Sequence, residues 1–151
     1  MRIFKLLIVL LLVVTAFYSC TPKYDKQYSW AYPVGGDWMV NAYVGPGLVG
    51  GPYEIKSYNS SFGRDSIWFD DYNGNFKNFK VKTFVDMSSK TFSTIGSPNA
   101  IKGTSITSIK ISNGKIIGTD SITMDVVFSN SPTIYRLAGH REQSYEEYTQ
   151  Q

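Results

Sequence analysis

The chain has 151 residues, of which 42% are hydrophobic, 15% aromatic and 18% charged, and its formal net charge is +3. That length suits one ordinary domain, and the hydrophobic fraction excludes a disordered chain. The chain contains one cysteine and one histidine, which excludes an intramolecular disulfide framework and the usual His/Cys zinc clusters.

Residues 1–19 are predicted to be a signal peptide. Arg2 and Lys5 precede an apolar run over residues 6–14, and Ser19 ends the segment. A positive start, an apolar stretch of about ten residues and a small residue before the cleavage site are typical of secretory signals. A membrane-spanning helix needs about 20 apolar residues. The short run therefore disfavours the alternatives, a membrane anchor or a buried helix.

Ser19-Cys20, directly after the apolar region, resembles the lipobox of bacterial lipoproteins, in the relaxed form of the Bacteroidetes type. Phe17 and Tyr18 depart from the Leu and the small residue usual at these positions. The resemblance implies that Cys20 is acylated and becomes the first residue of the mature protein. Each CH₂ group of an acyl chain buried in the bilayer contributes about 0.8 kcal/mol, so several acyl chains would hold the protein on a membrane. We therefore expect a lipid-anchored protein of the cell envelope, on the outer membrane, with its periplasmic or surface face left open.

Residues 20–34 are expected to form a lipidated tether, followed by a β-barrel domain over residues 35–151. Two prolines, many polar residues and no regular period support a tether. Its aromatic residues are unusual for a linker, and they either contact the domain or lie at the lipid interface. These aromatic residues are Tyr24, Tyr28, Trp30 and Tyr32.

From Gly36 onward, apolar and polar residues alternate with period two between turn residues, which is typical of an all-β protein. The predicted strands cover residues 37–44, 53–59, 66–71, 79–87, 91–95, 106–112, 115–118, 121–129 and 133–141. Asn113-Gly114 is predicted to be a hairpin turn, because this dipeptide favours two-residue β-turns. Eight or nine strands with short connections predict an antiparallel up-and-down barrel, because closure removes exposed strand edges.

Gly36-Asp37-Trp38, at the start of the β region, resembles the Gly-x-Trp motif that opens the first strand of lipocalins. The resemblance implies that Trp38 packs at the closed end of a lipocalin-like barrel, beneath an arginine from its last strand. Arg136 and Arg141 are the two candidates for this cation–π cap. In that role the cap stabilises the fold and carries no activity.

A wider resemblance covers most of the chain after the signal peptide. Four segments are similar to the small Bacteroidetes lipoproteins called lipid-binding putative hydrolases: Gly36 to Val40, Asn113 to Ile116, Asp120 to Met124, and Tyr135 to Arg141. Gln143 and Ser144 depart from the Thr and Gly of that family's ending. The resemblance implies a lipocalin-like barrel and supplies no catalytic residue.

Gly45 to Gly50 matches the G-x-G-x-x-G pattern of dinucleotide-binding loops. That site needs a helix to begin there, whereas this chain continues with Gly51-Pro52 and another predicted strand. We expect residues 45–52 to form a loop at the open mouth of the barrel. Leu48 and Val49 would be the apolar tip of a lid over a ligand, or the loop would be an ordinary connection.

No other motif predicts catalysis, a cofactor or a metal. Asp71 to Asn75 begins like a calcium loop, but Phe76 and Lys82 stand where an EF-hand needs Gly and Glu. His140 is expected to be structural or exposed, because the chain has no Gly-x-Ser-x-Gly elbow. Lysines interleaved with acids argue against a nucleic-acid partner.

The sequence therefore predicts a membrane-anchored protein whose barrel holds a small apolar or lipid ligand. The inward residues predicted to line the ligand space are Val40, Ile55, Phe69, Val81, Val85, Met124, Val126 and Phe128. The same side chains would equally make a dry core. One alternative is a structural lipoprotein accessory to an envelope complex, which would contact its partner through Trp68 and Tyr72. Hydrolysis is a weaker alternative that rests on the family name alone.

Overall fold

The computed structural model describes residues 29–61 and 63–142. Its strands are β1 (Gly36–Val44), β2 (Gly47–Asn59), β3 (Ser66–Asp70), β4 (Lys80–Asp86), β5 (Thr91–Pro98), β6 (Ser108–Ile117), β7 (Ser121–Phe128) and β8 (Ile134–Arg141). The predicted signal peptide, Cys20 and much of the predicted tether lie outside the described residues. Within those residues, no helix has the length and apolar character needed to cross a membrane.

The eight strands form a closed barrel in chain order. Each strand pairs antiparallel with the next, and β8 returns to β1 in a register that runs from Trp38↔Arg141 to Tyr43↔Arg136. Closure gives every strand of the described barrel two partners, so none of them lies at the edge of an open sheet. The prediction of an antiparallel up-and-down barrel is therefore confirmed, with eight strands.

Alternation along each strand places its apolar residues inside the barrel. On β4, Val81 and Thr83 are buried, whereas Lys82 and Phe84 lie on the outer face. The inward side chains of all strands join one hydrophobic cluster. Each large side chain buried there stabilises the fold by about 1.5–3 kcal/mol, so this cluster is the main source of stability.

β2 begins at Gly47, so the predicted loop over residues 45–52 was wrong. Only Gly45-Pro46 connects β1 and β2, because Val44 already pairs with Gly47. The segment has no apolar alternation, yet its backbone groups pair with β1, and that pairing is what makes it a strand. Leu48 and Val49 are exposed on this hairpin. Their part in a lid stays a prediction.

Asn113 and Gly114 lie inside β6, so the predicted hairpin turn was also wrong. These two residues form a β-bulge. The pairing of β6 with β7 is interrupted after Ser112↔Asp125 and resumes at Lys115. Asn113 has a left-handed φ of 54°, and its Nδ2 donates to Asp125 Oδ2 at 2.8 Å. Asn-Gly suits a bulge as well as a hairpin turn, because both need unusual backbone angles.

The chain just before β1 closes one end of the barrel. The amides of Val34 and Gly35 donate to the Ala31 carbonyl at 2.9 and 2.6 Å. Ala31 and Val34 are buried, and Trp30 packs against the same hydrophobic cluster. The folded domain therefore begins before residue 35, and residues 29–34 of the predicted tether belong to it.

Candidate ligand-binding site

The closed end of the barrel is built around the buried indole of Trp38. Its Nε1 donates to Ser57 Oγ at 2.7 Å, and the Ser57 hydroxyl donates to the Val34 carbonyl at 2.7 Å. The Arg141 guanidinium lies 4.4 Å from the Trp38 ring centroid, a cation–π distance. Arg141 also donates to the Gly35 carbonyl. This end of the barrel holds structural contacts, and Arg141 occupies the position expected for the cap.

Arg136, the other candidate for the cap, lies on the outer face of β8. Its Nε donates to Asp125 Oδ1 at 3.0 Å. This hydrogen bond lowers the pKa of the Asp125 carboxyl, and the bond from Asn113 adds to the effect. Arg136 therefore stabilises the pairing of β7 and β8 beside the β6 bulge.

The eight side chains predicted to line a ligand space all face the barrel interior. Seven are buried: Val40, Ile55, Phe69, Val81, Met124, Val126 and Phe128. Val85 is partly buried and packs against them. The Phe69 ring centroid lies 4.5 Å from that of Phe92. These residues form a packed core, so their ligand-binding role stays a prediction that requires some of them to move.

Phe76 fills the end of the barrel that lies opposite the closed end. It comes from the β3–β4 loop, and its ring centroid lies 5.0 Å from that of Tyr53. The Phe128 and Tyr135 centroids lie 5.9 and 5.4 Å away. Such distances are typical of tilted and edge-to-face aromatic pairs. We call these four residues the aromatic mouth, because they separate the core from solvent.

Asp71 holds the loop that carries Phe76. Its Oδ2 accepts hydrogen bonds from the amides of Phe76, Lys77 and Asn78, at 3.1, 2.8 and 2.8 Å. Asp71 is 1% exposed, and its Oδ1 has no hydrogen-bond partner within the part of the chain that the structure describes. The segment that resembles the start of a calcium loop is thus a turn built around backbone amides.

The barrel wall opens between β4 and β5. These strands pair over residues 84–86 and 91–93, and the register goes no further. β5 then departs from regular pairing with β6, and the chain meets β4 again where the Ala100 amide donates to the Lys80 carbonyl at 2.8 Å. Between these points lies a cleft of about 530 Å³, which we call the β4–β5 cleft. That volume is within the range of small-molecule sites.

The β4–β5 cleft combines aromatic walls with charged groups. Its lining includes Trp68, Lys82, Phe84, Pro98 and Lys102. Trp68 stands opposite Lys82 in the β3–β4 register, and the Lys82 ammonium lies 6.0 Å from its ring centroid. The sequence singled out Trp68 as a partner contact, and the structure leaves it half-buried. The cleft itself was not predicted, because the separation of two strands leaves no mark in residue periodicity.

A second groove, of about 580 Å³, shares the Phe84 side chain with the cleft. We call it the Lys115 groove. Its charged lining consists of Asp86 and Lys115, so one acid offsets one base. The β4–β5 cleft has two lysines against the single carboxylate of Asp65, and it is the more favourable of the two for an anionic group.

Residues 23–146 match the protein family described as lipid-binding putative hydrolase. The chain belongs to this family. The match spans the whole described barrel and confirms the resemblance to lipid-binding putative hydrolases. No curated protein matches the chain.

The name of the lipid-binding putative hydrolase family raises the question of a catalytic centre. His140 is exposed on β8, opposite Ser121 in the register. The Ser121 hydroxyl bonds Asp120 Oδ1 directly, at 3.1 Å, whereas a hydrolase triad places the histidine between serine and carboxylate. In residues 29–61 and 63–142, no three His, Cys, Asp or Glu side chains are grouped to hold a metal. Ser121, Asp120 and His140 are therefore not arranged as a Ser-His-Asp triad.

Proposed function

We propose that this protein is a membrane-anchored lipoprotein that binds a small apolar or lipid ligand. The observation that carries the binding is the β4–β5 cleft, an opening in the wall of a closed barrel with exposed aromatic surface beside it. Membership of a lipid-binding family supports the same ligand class. The barrel supplies a rigid frame, so the cleft keeps its shape without a ligand.

The test of binding is lipid recovery from the full-length protein, purified from cell membranes in non-ionic detergent. Native mass spectrometry separates non-covalent ligands from the covalent acyl chains of the anchor, which stay with the protein after denaturation. We expect about one lipid molecule per chain and a higher melting temperature when the recovered lipid is added back. The absence of both effects, for neutral and for anionic lipids, would contradict the binding function.

The anchor is proposed on Cys20, which lies outside the described residues and follows a signal-like segment. In cells fed a radiolabelled fatty acid, the full-length chain should incorporate label and sediment with the outer membrane. Cys20→Ser should abolish the label, because it removes the sulfur that would be acylated. Label that persists in this variant would contradict the anchor and leave the binding function standing.

A structural lipoprotein within an envelope complex is the second candidate. The observation that favours it is the exposed aromatic ring of Tyr72, which is 60% exposed and has the Lys56 ammonium 4.0 Å from its centroid. Pull-down from solubilised membranes should then recover a stoichiometric protein partner. Tyr72→Ala should lose that partner, and Tyr43→Ala, elsewhere on the barrel, should keep it.

Hydrolysis is the third and weakest candidate, because only the family name favours it. His140 is the single histidine of the sequence and is therefore the side chain to test, although the sequence predicts a structural or exposed role for it. Turnover of ester substrates that depends on His140 would support a hydrolase. Turnover that persists in His140→Ala would require a different catalytic group.

A further inference from the structure

We propose that the β4–β5 cleft binds a single-chain anionic amphiphile, a molecule of the fatty-acid class. Its carboxylate would lie near Lys82 and Lys102, and its chain would cover Trp68, Phe84 and Pro98. This inference rests on the proposed binding function and adds the ligand's chemistry and its place.

Charge favours an anionic head group at this cleft. Lys82 and Lys102 bring two ammonium groups to its lining, and Asp65 brings one carboxylate. The surplus positive charge is complementary to one carboxylate. A partly desolvated ammonium–carboxylate contact is stronger than the same contact in open water, because the local dielectric constant is lower.

The apolar side of the cleft is suited to an alkyl chain. The Phe84 side chain is 69% exposed, and Trp68 and Pro98 line the same space. Covering such surface with an alkyl chain is favourable at roughly 25 cal/mol per Å². Exposed apolar surface beside a cleft often marks a binding site.

Asn99 holds the far side of the cleft in place. Its side chain is buried, and its Oδ1 accepts from the amides of Lys80 and Ile101 at 3.0 and 3.1 Å. Its Nδ2 donates to the Ile106 carbonyl at 3.1 Å. These bonds tie the segment after β5 to the start of β4. A ligand would therefore meet a preformed wall, and ordering the loop would cost little binding energy.

The cleft also has an advantage over the barrel interior. The interior side chains are packed as a core, and Phe76 fills the mouth above them. A ligand in the interior must displace those side chains, whereas the cleft is already open on the wall of the barrel. The cleft is the site that requires the smaller rearrangement.

The experiment is photo-crosslinking of the full-length protein in isolated cell membranes. The probes are dodecanoate and dodecanol, each carrying a diazirine at mid-chain. Adducts are mapped by peptide mass spectrometry, and their yield is followed against probe concentration. We expect saturable dodecanoate adducts on β3, β4 and residues 97–102, with much weaker labelling by dodecanol.

Substitutions test whether Lys82 and Lys102 contribute to the binding of the carboxylate. The double variant Lys82→Met/Lys102→Met should weaken dodecanoate labelling by about tenfold, the effect of losing charged contacts of moderate strength. Lys115→Met, in the neighbouring Lys115 groove, is the matched control and should keep the affinity of the unmodified chain. All three lysines are at least partly exposed, so both variants should fold.

Each of the other outcomes contradicts a different part of the inference: the location of the site, the preference for an anion, or the fatty-acid class. Saturable adducts confined to interior residues such as Met124 would preserve the binding function and refute the cleft. Equal labelling by dodecanol would refute the preference for an anion. If neither probe gives saturable adducts, the fatty-acid class is wrong, and the lipid-recovery experiment still decides whether the protein binds other lipids.

Discussion

Ser57 joins three segments of the chain through one buried hydroxyl group. It accepts a hydrogen bond from Trp38 on β1 and donates one to Val34 in the segment before that strand. Water cannot replace either bond at this depth, so each buried partner depends on Ser57. The closed end is therefore specified by a small polar residue as much as by the large indole.

Ser57→Ala should lower the free energy of unfolding by about 1–3 kcal/mol, because it leaves the Trp38 N–H without its acceptor. Urea unfolding followed by tryptophan fluorescence measures the loss. Ser93→Ala, on the exposed face of β5, is the control and should change stability by less than about 0.5 kcal/mol. Equal losses in the two variants would show that the hydroxyl relay contributes nothing.

The Asp125–Arg136 pair predicts a dependence of stability on acid pH. Arg136 lowers the pKa of Asp125 in the folded chain relative to the ordinary value of about 3.9. Such a carboxylate stabilises the fold fully above the unfolded-state pKa, and this contribution is lost as pH falls through the lower folded-state pKa. Arg136→Met should therefore be less stable than the unmodified chain at neutral pH, and the difference should shrink in strong acid.

Urea unfolding at about pH 7 and about pH 2 measures this difference on both sides of the titration. Arg64→Met is the control, because Arg64 is an exposed arginine in the β2–β3 connection. It should show no pH-dependent difference. A difference for Arg136→Met that is equally large at both pH values would mean that the arginine acts through packing and not through the Asp125 charge.

At the scale of elements, the bulge in β6 depends on Gly114. A Cβ added there would lie 2.4 Å from ring carbons of Phe92 and from its carbonyl oxygen. Gly114→Ala should cost about 1–3 kcal/mol, the usual effect of overpacking. In Gly47→Ala the new Cβ meets its nearest atom, the Val44 carbonyl oxygen, at 3.6 Å. This control should unfold at nearly the same urea concentration as the unmodified chain, and an equal loss in both would contradict steric crowding at the bulge.

The strands in which apolar and polar residues alternate were predicted well from the sequence. β7 runs from Ser121 to Phe128, within one residue of the prediction, because one face of it packs in the core. The first half of β2 was missed, since its glycines and proline take part only through backbone pairing with β1. Asn113-Gly114 was misassigned, because positive φ is common to turns and bulges.

The candidate site was harder to predict than the strands. The inward residues were identified correctly by their alternation, but alternation cannot show whether a barrel interior is open or filled. Phe76 closes the mouth from an irregular loop, where no periodicity points to its role. The β4–β5 cleft lies where the pairing between β4 and β5 stops. The bends of β5 and the hydrogen bonds of Asn99 determine where these two strands separate.

At the scale of the whole molecule, the barrel has three distinct surfaces. One end is closed by residues 29–35 and the Arg141 cap, and the other is filled by the aromatic mouth. The side wall has the β4–β5 cleft, whose volume is within the range of small-molecule sites. A ligand at the mouth and a ligand in the cleft would therefore depend on different phenylalanines.

Phe76→Ala and Phe84→Ala separate the two sites. Phe76→Ala should lower stability by about 2 kcal/mol, less than a fully buried phenylalanine, and should increase binding of an apolar fluorescent dye by exposing the core. Phe84→Ala should change stability by less than about 0.5 kcal/mol, because its ring lies outside the barrel. Labelling by the dodecanoate probe should fall in Phe84→Ala and persist in Phe76→Ala. The reverse pattern would place the ligand in the interior, because only an interior site depends on the residue that fills the mouth.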